Sequence, residues 1–155
     1  MNNPNLKKYA WMLRLMGIFK IPLIGYVRPR LVEINDTDVI VRIKLRRRTK
    51  NHLKSMYFGA LAVGADVTAG LHAFYFCDEL NVRPSFAFKG MKAEFVKRAE
   101  TDVMFSCNEG AVIREQVLKA IQTNERQNHW VKVTAKDLNG EVVALFEMEI
   151  SVKIK

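Results

Sequence analysis

Asp66 is the residue whose type and setting could do chemistry. From Ser55 to Cys77 the chain carries no Lys, Arg or Glu, and Asp66 is its only formal charge, among Gly, Ala, Val and aromatic residues. An ionised carboxylate in an apolar interior costs several kcal/mol unless it is paired, hydrogen-bonded, protonated or turned towards a cleft. Two roles answer that cost. One is structural, an Asp bonded to nearby backbone or paired across a subunit contact. The other is catalytic, a general base or nucleophile with a tuned pKa. No rival site stands out, since His52, His72 and His129 are dispersed without metal-ligand spacing. Neither a phosphate-binding glycine loop nor a Ser-centred nucleophile motif occurs. Cys77 and Cys107 lie in apolar surroundings and make no disulfide framework, so a reducing cytoplasm is the expected compartment.

The elements that must position Asp66 follow from periodicity. Leu6 to Phe19 reads as an amphipathic helix with Leu6, Tyr9, Ala10, Leu13, Met16 and Ile18 mostly on one side, expected to pack on the domain edge rather than on a membrane surface. Pro22 and Gly25 break that pattern. Leu31 to Ile34 forms a short strand, turned by "INDTDV" into a second in which Val39, Val41, Ile43 and Leu45 alternate with Arg42, Lys44 and Arg46. Ser55 to Cys77 is a buried helix: Gly59, Ala60, Ala62, Gly64, Ala65, Ala69 and Gly70 let it lie close to a sheet, which offsets the helix propensity lost at each glycine. Two strands follow, Phe86 to Lys97 and Asp102 to Asn108, then a helix over Ala111 to Gln122. Strands His129 to Lys136 and Glu141 to Lys153 flank "DLNG", in which Asn139-Gly140 signals a two-residue hairpin. An antiparallel sheet curled round one central apolar helix satisfies this order, an α+β class.

Length and charge bound the rest. The 155 residues make one domain, 1-155, in which 1-29 is an N-terminal helical extension and 30-155 the core. The Ser55 to Cys77 stretch is long enough to span a bilayer, but its Gly, Ala and Asp66 content favours a core helix. Arg14 and Lys20 interrupt the first apolar run and no small-residue cleavage site follows, which argues against a signal peptide. The net charge of +9 is uneven: no acid precedes Glu33, and six of the eleven residues from Lys44 to Lys54 are Lys or Arg. Such a face attracts polyanions, whether nucleic acid, an anionic membrane or a phosphate-rich molecule such as coenzyme A, unless it is simply solvated.

The segment from Asn51 to Asp66 resembles the signature of hotdog-fold acyl-CoA thioesterases of the phenylacetyl-CoA type, in which an Asn precedes a His-Gly-Gly at the start of the central helix and an acidic residue follows within it. Asn51 falls on the Asn, Gly59 on the second Gly and Asp66 on the acidic residue, without a gap, while Tyr57 and Phe58 replace the His and the first Gly. "AEFVKRA", residues 93 to 99, is similar to the strand after the helix, and the Asn139-Gly140 hairpin resembles the final pair. The resemblance implies a hotdog fold, with the N-terminal and late helices as additions characteristic of a less-characterised subgroup. It implies Asp66 as base or nucleophile, Asn51 orienting water or substrate, and the backbone N–H of Phe58 or Gly59 polarising the thioester carbonyl. Tyr57 retains a hydroxyl donor, His52 adjoins Asn51, and Ser85 is the nearest match to a helper hydroxyl. Arg48, Lys50, Lys54 and Arg98 would meet the phosphates of coenzyme A, which enters as part of the substrate, so that no cofactor and no metal are expected.

The resulting reading is a cytoplasmic acyl-CoA thioesterase acting as a homodimer, with sites between subunits, among relatives where tetramers are common. The alternative is a noncatalytic hotdog protein that binds an acyl-CoA or acyl ligand, with Phe58 filling the space of the reacting bond and Asp66 structural. Nucleic-acid binding ranks last, because the basic strand lacks interleaved aromatics and any reader motif.

Overall fold

Asn3 caps the first helix: its side chain accepts the Asn5 N–H at 3.0 Å, and Pro4 takes the first helical position, where a missing N–H costs nothing. The computed structural model describes residues 3–155. Helix α1 spans Pro4–Phe19 and buries Tyr9, Leu13 and Gly17. Ile18, expected on the buried side, is exposed, because the stripe through Tyr9, Leu13 and Gly17 is the one that faces the fold. The pattern break at Pro22 and Gly25 is itself a short helix, α2, Pro22–Val27. Pro22 starts it, and Gly25 lies against Gly17 so closely that a Cβ on Gly25 would stand 2.3 Å from the Gly17 carbonyl oxygen.

Strands β1 (Arg30–Ile34) and β2 (Val39–Ile43) form the expected hairpin. Asn35 holds its turn, its Oδ1 accepting the N–H groups of Thr37 and Asp38 at 2.9 and 2.8 Å. Then come α3 (Phe58–Glu79), β3 (Pro84–Phe95), β4 (Val103–Cys107), α4 (Gly110–Thr123), β5 (Gln127–Asp137) and β6 (Val142–Ile154). One turn differs from expectation. Asp137 N–H donates to the Glu141 carbonyl at 2.9 Å, which leaves a three-residue loop, Leu138 to Gly140, with only Gly140 at positive φ, +80°. Asp137 Oδ1 accepts from Asn139 and Glu141 N–H, so the Asp, rather than an Asn-Gly pair of left-handed residues, organises the turn.

All pairings in the six-stranded sheet are antiparallel, in the order β1-β2-β4-β5-β6-β3, with β1 and β3 at its edges. The sheet wraps α3, which makes this the hotdog fold. Gly64 makes room for the sheet, since a Cβ there would lie 2.3 Å from the Phe105 ring on β4. Of the most apolar window of α3, long and apolar enough to cross a membrane, 83% is buried inside the fold. Its apolar surface serves the core.

Two further details place the site. On β3 the register shifts between Phe88 and Gly90, so Lys89 is an extra residue. The inward face therefore runs Phe86, Phe88, then Met91, Ala93 and Phe95, opposite the buried Met148, Phe146 and Ala144 of β6. On the other side of the core His72 of α3 is fully buried. Its Nε2–H donates to the Asn35 carbonyl at 3.0 Å, its Nδ1 has no partner, and it stacks on Phe76 with ring centroids 5.0 Å apart.

Candidate functional site

The loop before α3 is built by Asn51. Its Oδ1 accepts from Leu53 N–H at 2.9 Å, Ser55 N–H at 3.2 Å and Ser55 Oγ–H at 3.2 Å, while its own N–H donates to the Ser55 carbonyl at 2.8 Å. This local turn closes residues 51–55 and delivers the chain to the helix. The amide oxygen is thus committed to the loop, and only Nδ2 is left to address a ligand. Lys54 takes a left-handed conformation, φ +61°, to complete the turn.

Two backbone links then fix the entrance of α3. Tyr57 N–H donates to the Thr49 carbonyl at 2.7 Å, and Met56 N–H donates to the Ala99 carbonyl at 2.8 Å. The first brings Lys50 alongside, the second Arg98. His52, Lys54, Lys50 and Arg98 are all exposed, and among the described residues none is ion-paired, so the sequence segments 50–57 and 97–99 gather positive charge round one helix end.

Tyr57 caps α3 in extended geometry without a side-chain hydrogen bond, and its ring folds over Gly59: a Cβ there would lie 2.4 Å from it. Phe58 is 58% exposed and packs on Tyr57, centroids 4.8 Å apart, and edge-on to Phe95 at 6.0 Å. It points out of the core. Among the described residues the N–H groups of Phe58 and Gly59 find no acceptor, as expected for a helix start, and the helix dipole adds to their pull on a negatively polarised atom.

Asp66 lies on the stripe of α3 that includes Gly59, Ala62 and Gly70, turned away from the Gly64–Phe105 contact. It is half-buried, and among the described residues its carboxylate has neither an ion-pair partner nor a hydrogen-bond donor. One turn further on, Gly70 has no side chain, and the rings of Phe86 and Phe88 close to 3.8 Å from where its Cβ would be. Phe74 adds a third ring, 5.3 Å from Phe86. Burial in this setting pushes the Asp66 carboxyl up to about 6. A carboxylate so placed is free to take a proton near neutral pH.

The residues expected to cooperate divide into two sets. Phe58, Tyr57, Gly59, Asn51, His52, Lys50, Lys54 and Arg98 meet at the entrance of α3. Arg48 turns elsewhere, its guanidinium 5.4 Å over the Tyr26 ring of α2. Ser85 faces the side of β3 opposite to Phe86, and its Oγ accepts from Arg126 at 3.2 Å. It is not brought to Asp66. The inner wall of Met91, Ala93 and Phe95 was missed by sequence reasoning. Met91 and Phe95 are 43% and 48% exposed, so this apolar strip is partly open to solvent. Gly90 in the middle of a strand was the available signal, because the bulge beside it shifts the alternation by one. Elsewhere, Cys77 and Cys107 are buried free thiols with pKa pushed up to about 11, which makes them unreactive.

Comparison with solved structures supports the fold throughout. A Shewanella oneidensis protein described as a candidate thioesterase superposes with TM-score 0.83 at 14% identity, covering 95% of this chain and 99% of that one. A Pseudomonas aeruginosa protein of unknown function, described as a probable thioesterase, gives 0.78 at 22% identity, covering 94% and 95%. A Haemophilus influenzae thioesterase gives 0.69 at 7% identity, covering 96% and 90%. No curated protein sequence matches the chain. Residues 10–154 match a domain of unknown function, DUF4442, and the chain belongs to that family.

Proposed function

We propose that this protein hydrolyses an acyl-CoA-like thioester, with Asp66 as the proton acceptor. The observation that carries the reading is, among the described residues, an unpartnered, half-buried carboxylate of raised pKa on a helix whose start is ringed by unpaired cations. The relatives described as thioesterases add support by analogy of fold.

The chemistry follows from the parts. Asp66 takes a proton from water, the oxygen attacks the thioester carbon, and the negative charge moves to the carbonyl oxygen, where the N–H groups of Phe58 and Gly59 stabilise it. Collapse breaks the carbon–sulfur bond, and the thiolate recovers the proton from Asp66. In the alternative route Asp66 attacks the carbon itself, the carbon–sulfur bond breaks to expel the thiolate, and water then cleaves the anhydride, regenerating Asp66 and supplying the thiolate's proton. Asn51 Nδ2 would hold water or the substrate carbonyl, and Lys50, Lys54 and Arg98 would meet the phosphates of coenzyme A.

Within one chain Gly59 and Asp66 are separated by about 10 Å along α3. Direct attack by Asp66 needs the carbonyl about 3 Å from both donor and carboxylate, whereas the water-mediated route places one water between carboxylate and carbon. The reading is completed by a homodimer in which Asp66 of one subunit faces the helix start of the other. Strand β3 would supply the contact: it is a long edge strand, with unpaired backbone along its free side and Met91, Phe95 and Val96 exposed. Pairing β3 with its copy would continue the sheet.

The test is thiol release by the purified protein from short, long and aromatic acyl-CoA esters, with Asp66→Asn as control. Turnover that the substitution reduces by a factor of about 100 or more supports the reading. Saturable binding of the esters without turnover would leave a noncatalytic acyl-CoA binder.

A further inference from the structure

The pair α1 and α2 presents a second surface that the proposed chemistry does not use. An open groove of about 780 Å³ runs between these helices and β1, lined by Trp11, Ile18, Ile24 and Leu31 with Arg14 and Arg28 on its sides. Trp11, Arg14 and Ile18 are spaced to share one stripe of α1, next to the buried stripe. The Gly17–Gly25 contact holds the two helices backbone to backbone, and the last residue of α1, Phe19, is the most exposed large apolar group among the described residues, at 77%. Leu23 at 60%, Ile21 and Tyr26 continue the patch. A cluster of this kind, with two amphipathic aromatics and an aliphatic tip, is unlike the scattered apolar residues of an ordinary surface.

Charge decides what the patch fits. Lys7, Arg14, Lys20, Arg28 and Arg30 surround it, none of them ion-paired among the described residues, and no acid occurs before Glu33. A second copy of this chain, meeting it face to face, would set these like charges against each other. A nucleic acid would match the charge but leave Phe19, Ile21 and Leu23 in water. A bilayer containing anionic lipid satisfies both: apolar side chains enter the acyl boundary, Trp11 and Tyr26 sit at headgroup level, and the cations meet phosphate. We infer that the α1–α2 hairpin docks the protein on an anionic membrane surface, Phe19 and Leu23 inserting and Arg14 and Lys20 binding headgroups. This rests on none of the residues assigned to hydrolysis.

Co-sedimentation with vesicles tests it. The full chain should bind vesicles of phosphatidylcholine mixed with phosphatidylglycerol, should not bind phosphatidylcholine alone, and should release as salt rises. Phe19→Glu with Leu23→Glu, both exposed positions, should weaken binding by about tenfold or more. Arg14→Glu with Lys20→Glu should weaken it by about fivefold for each charge removed. Thioester hydrolysis in solution, or ester binding, should be the same in all these variants. No binding to the anionic vesicles at low salt overturns the inference, as does equal binding to neutral ones. Binding that survives Phe19→Glu with Leu23→Glu overturns it too, by reducing the contact to charge alone. So does a smaller oligomer in that variant than in the parent, which would assign the patch to a subunit interface.

Discussion

Phe58 and Phe95 meet edge-on with ring centroids 6.0 Å apart, joining the first residue of α3 to the last residue of β3. Both rings are about half exposed. Phe58 thus lies outside the core of the chain, against the end of β3. Phe58→Ala should raise KM for acyl-CoA esters by roughly threefold to tenfold, the worth of an aromatic contact. Because the ring is outside the core, the melting temperature should move by only about 2 °C. A large loss of stability, or an unchanged KM, would contradict this placement.

Asp66 trades stability for chemistry. Its folded pKa, about 6, lies above the unfolded value of 3.8. Between those values the folded protein keeps a proton that the unfolded chain has released, so stability falls as pH rises through that window and stays low above it. Asp66→Asn should therefore stabilise the protein by roughly 1–3 kcal/mol well above pH 6 and by little near or below pH 4. The parent's kcat/KM should climb with pH through about 6 as the base is freed. Denaturant melts at the two pH values and a rate profile check both halves.

Assembly of the site from two subunits predicts complementation. Gly59→Pro removes one donor at the helix start, where the backbone accepts proline once the Tyr57 ring turns aside. Mixed and reassorted with Asp66→Asn, it should recover about a quarter of parental activity, since half of the dimers would be mixed and each would hold one intact site. Two inactive variants that stay inactive after proven subunit exchange would place base and donors in the same chain.

His72 makes the fold sensitive to acid. Burial holds its imidazole below the usual value of 6.5. As pH drops through about 6.5, the unfolded chain gains a proton that the buried ring refuses, so this component of stability is complete above that value and is lost on acidification. His72→Gln retains a donor for the Asn35 carbonyl. It should flatten the fall in stability between about pH 7 and 5, as seen by comparing its urea melts with the parent's.

Gly64 tests the packing of helix on sheet. Ala is the better helix former, yet its Cβ would lie 2.3 Å from Phe105, buried at the centre of β4. Gly64→Ala should cost about 1–3 kcal/mol. Phe105→Leu in the same chain should recover part of that loss, so the double variant should be more stable than the two single effects summed.

What was legible in the sequence depended on how far each signal acts. The small residues of α3, the alternation on β2 and the "INDTDV" turn are local patterns with local causes, and they placed their elements directly. Asp66 was also legible, because an acid alone in an apolar run needs a reason. Helix α2 was hidden by treating Pro22 and Gly25 as breakers, when one starts a helix and the other is the point of contact with Gly17. The roles of Ser85 and Arg48 were set by Arg126 and Tyr26, distant partners that spacing along the chain does not show. Phe95 escaped notice for a third reason: the bulge at Lys89 moved it to the inner face.

The position of Asp66 has one more consequence, for the time before the fold closes. The ribosome makes α3 ahead of β4, β5 and β6, the strands that later cover it. During that interval the nascent chain displays a 22-residue segment that has, by length and composition, the makings of a membrane span. A carboxylate near the middle of such a segment costs about 3 kcal/mol on insertion. The residue proposed as the base thus also labels the helix, while it is still uncovered, as cargo for water rather than for lipid.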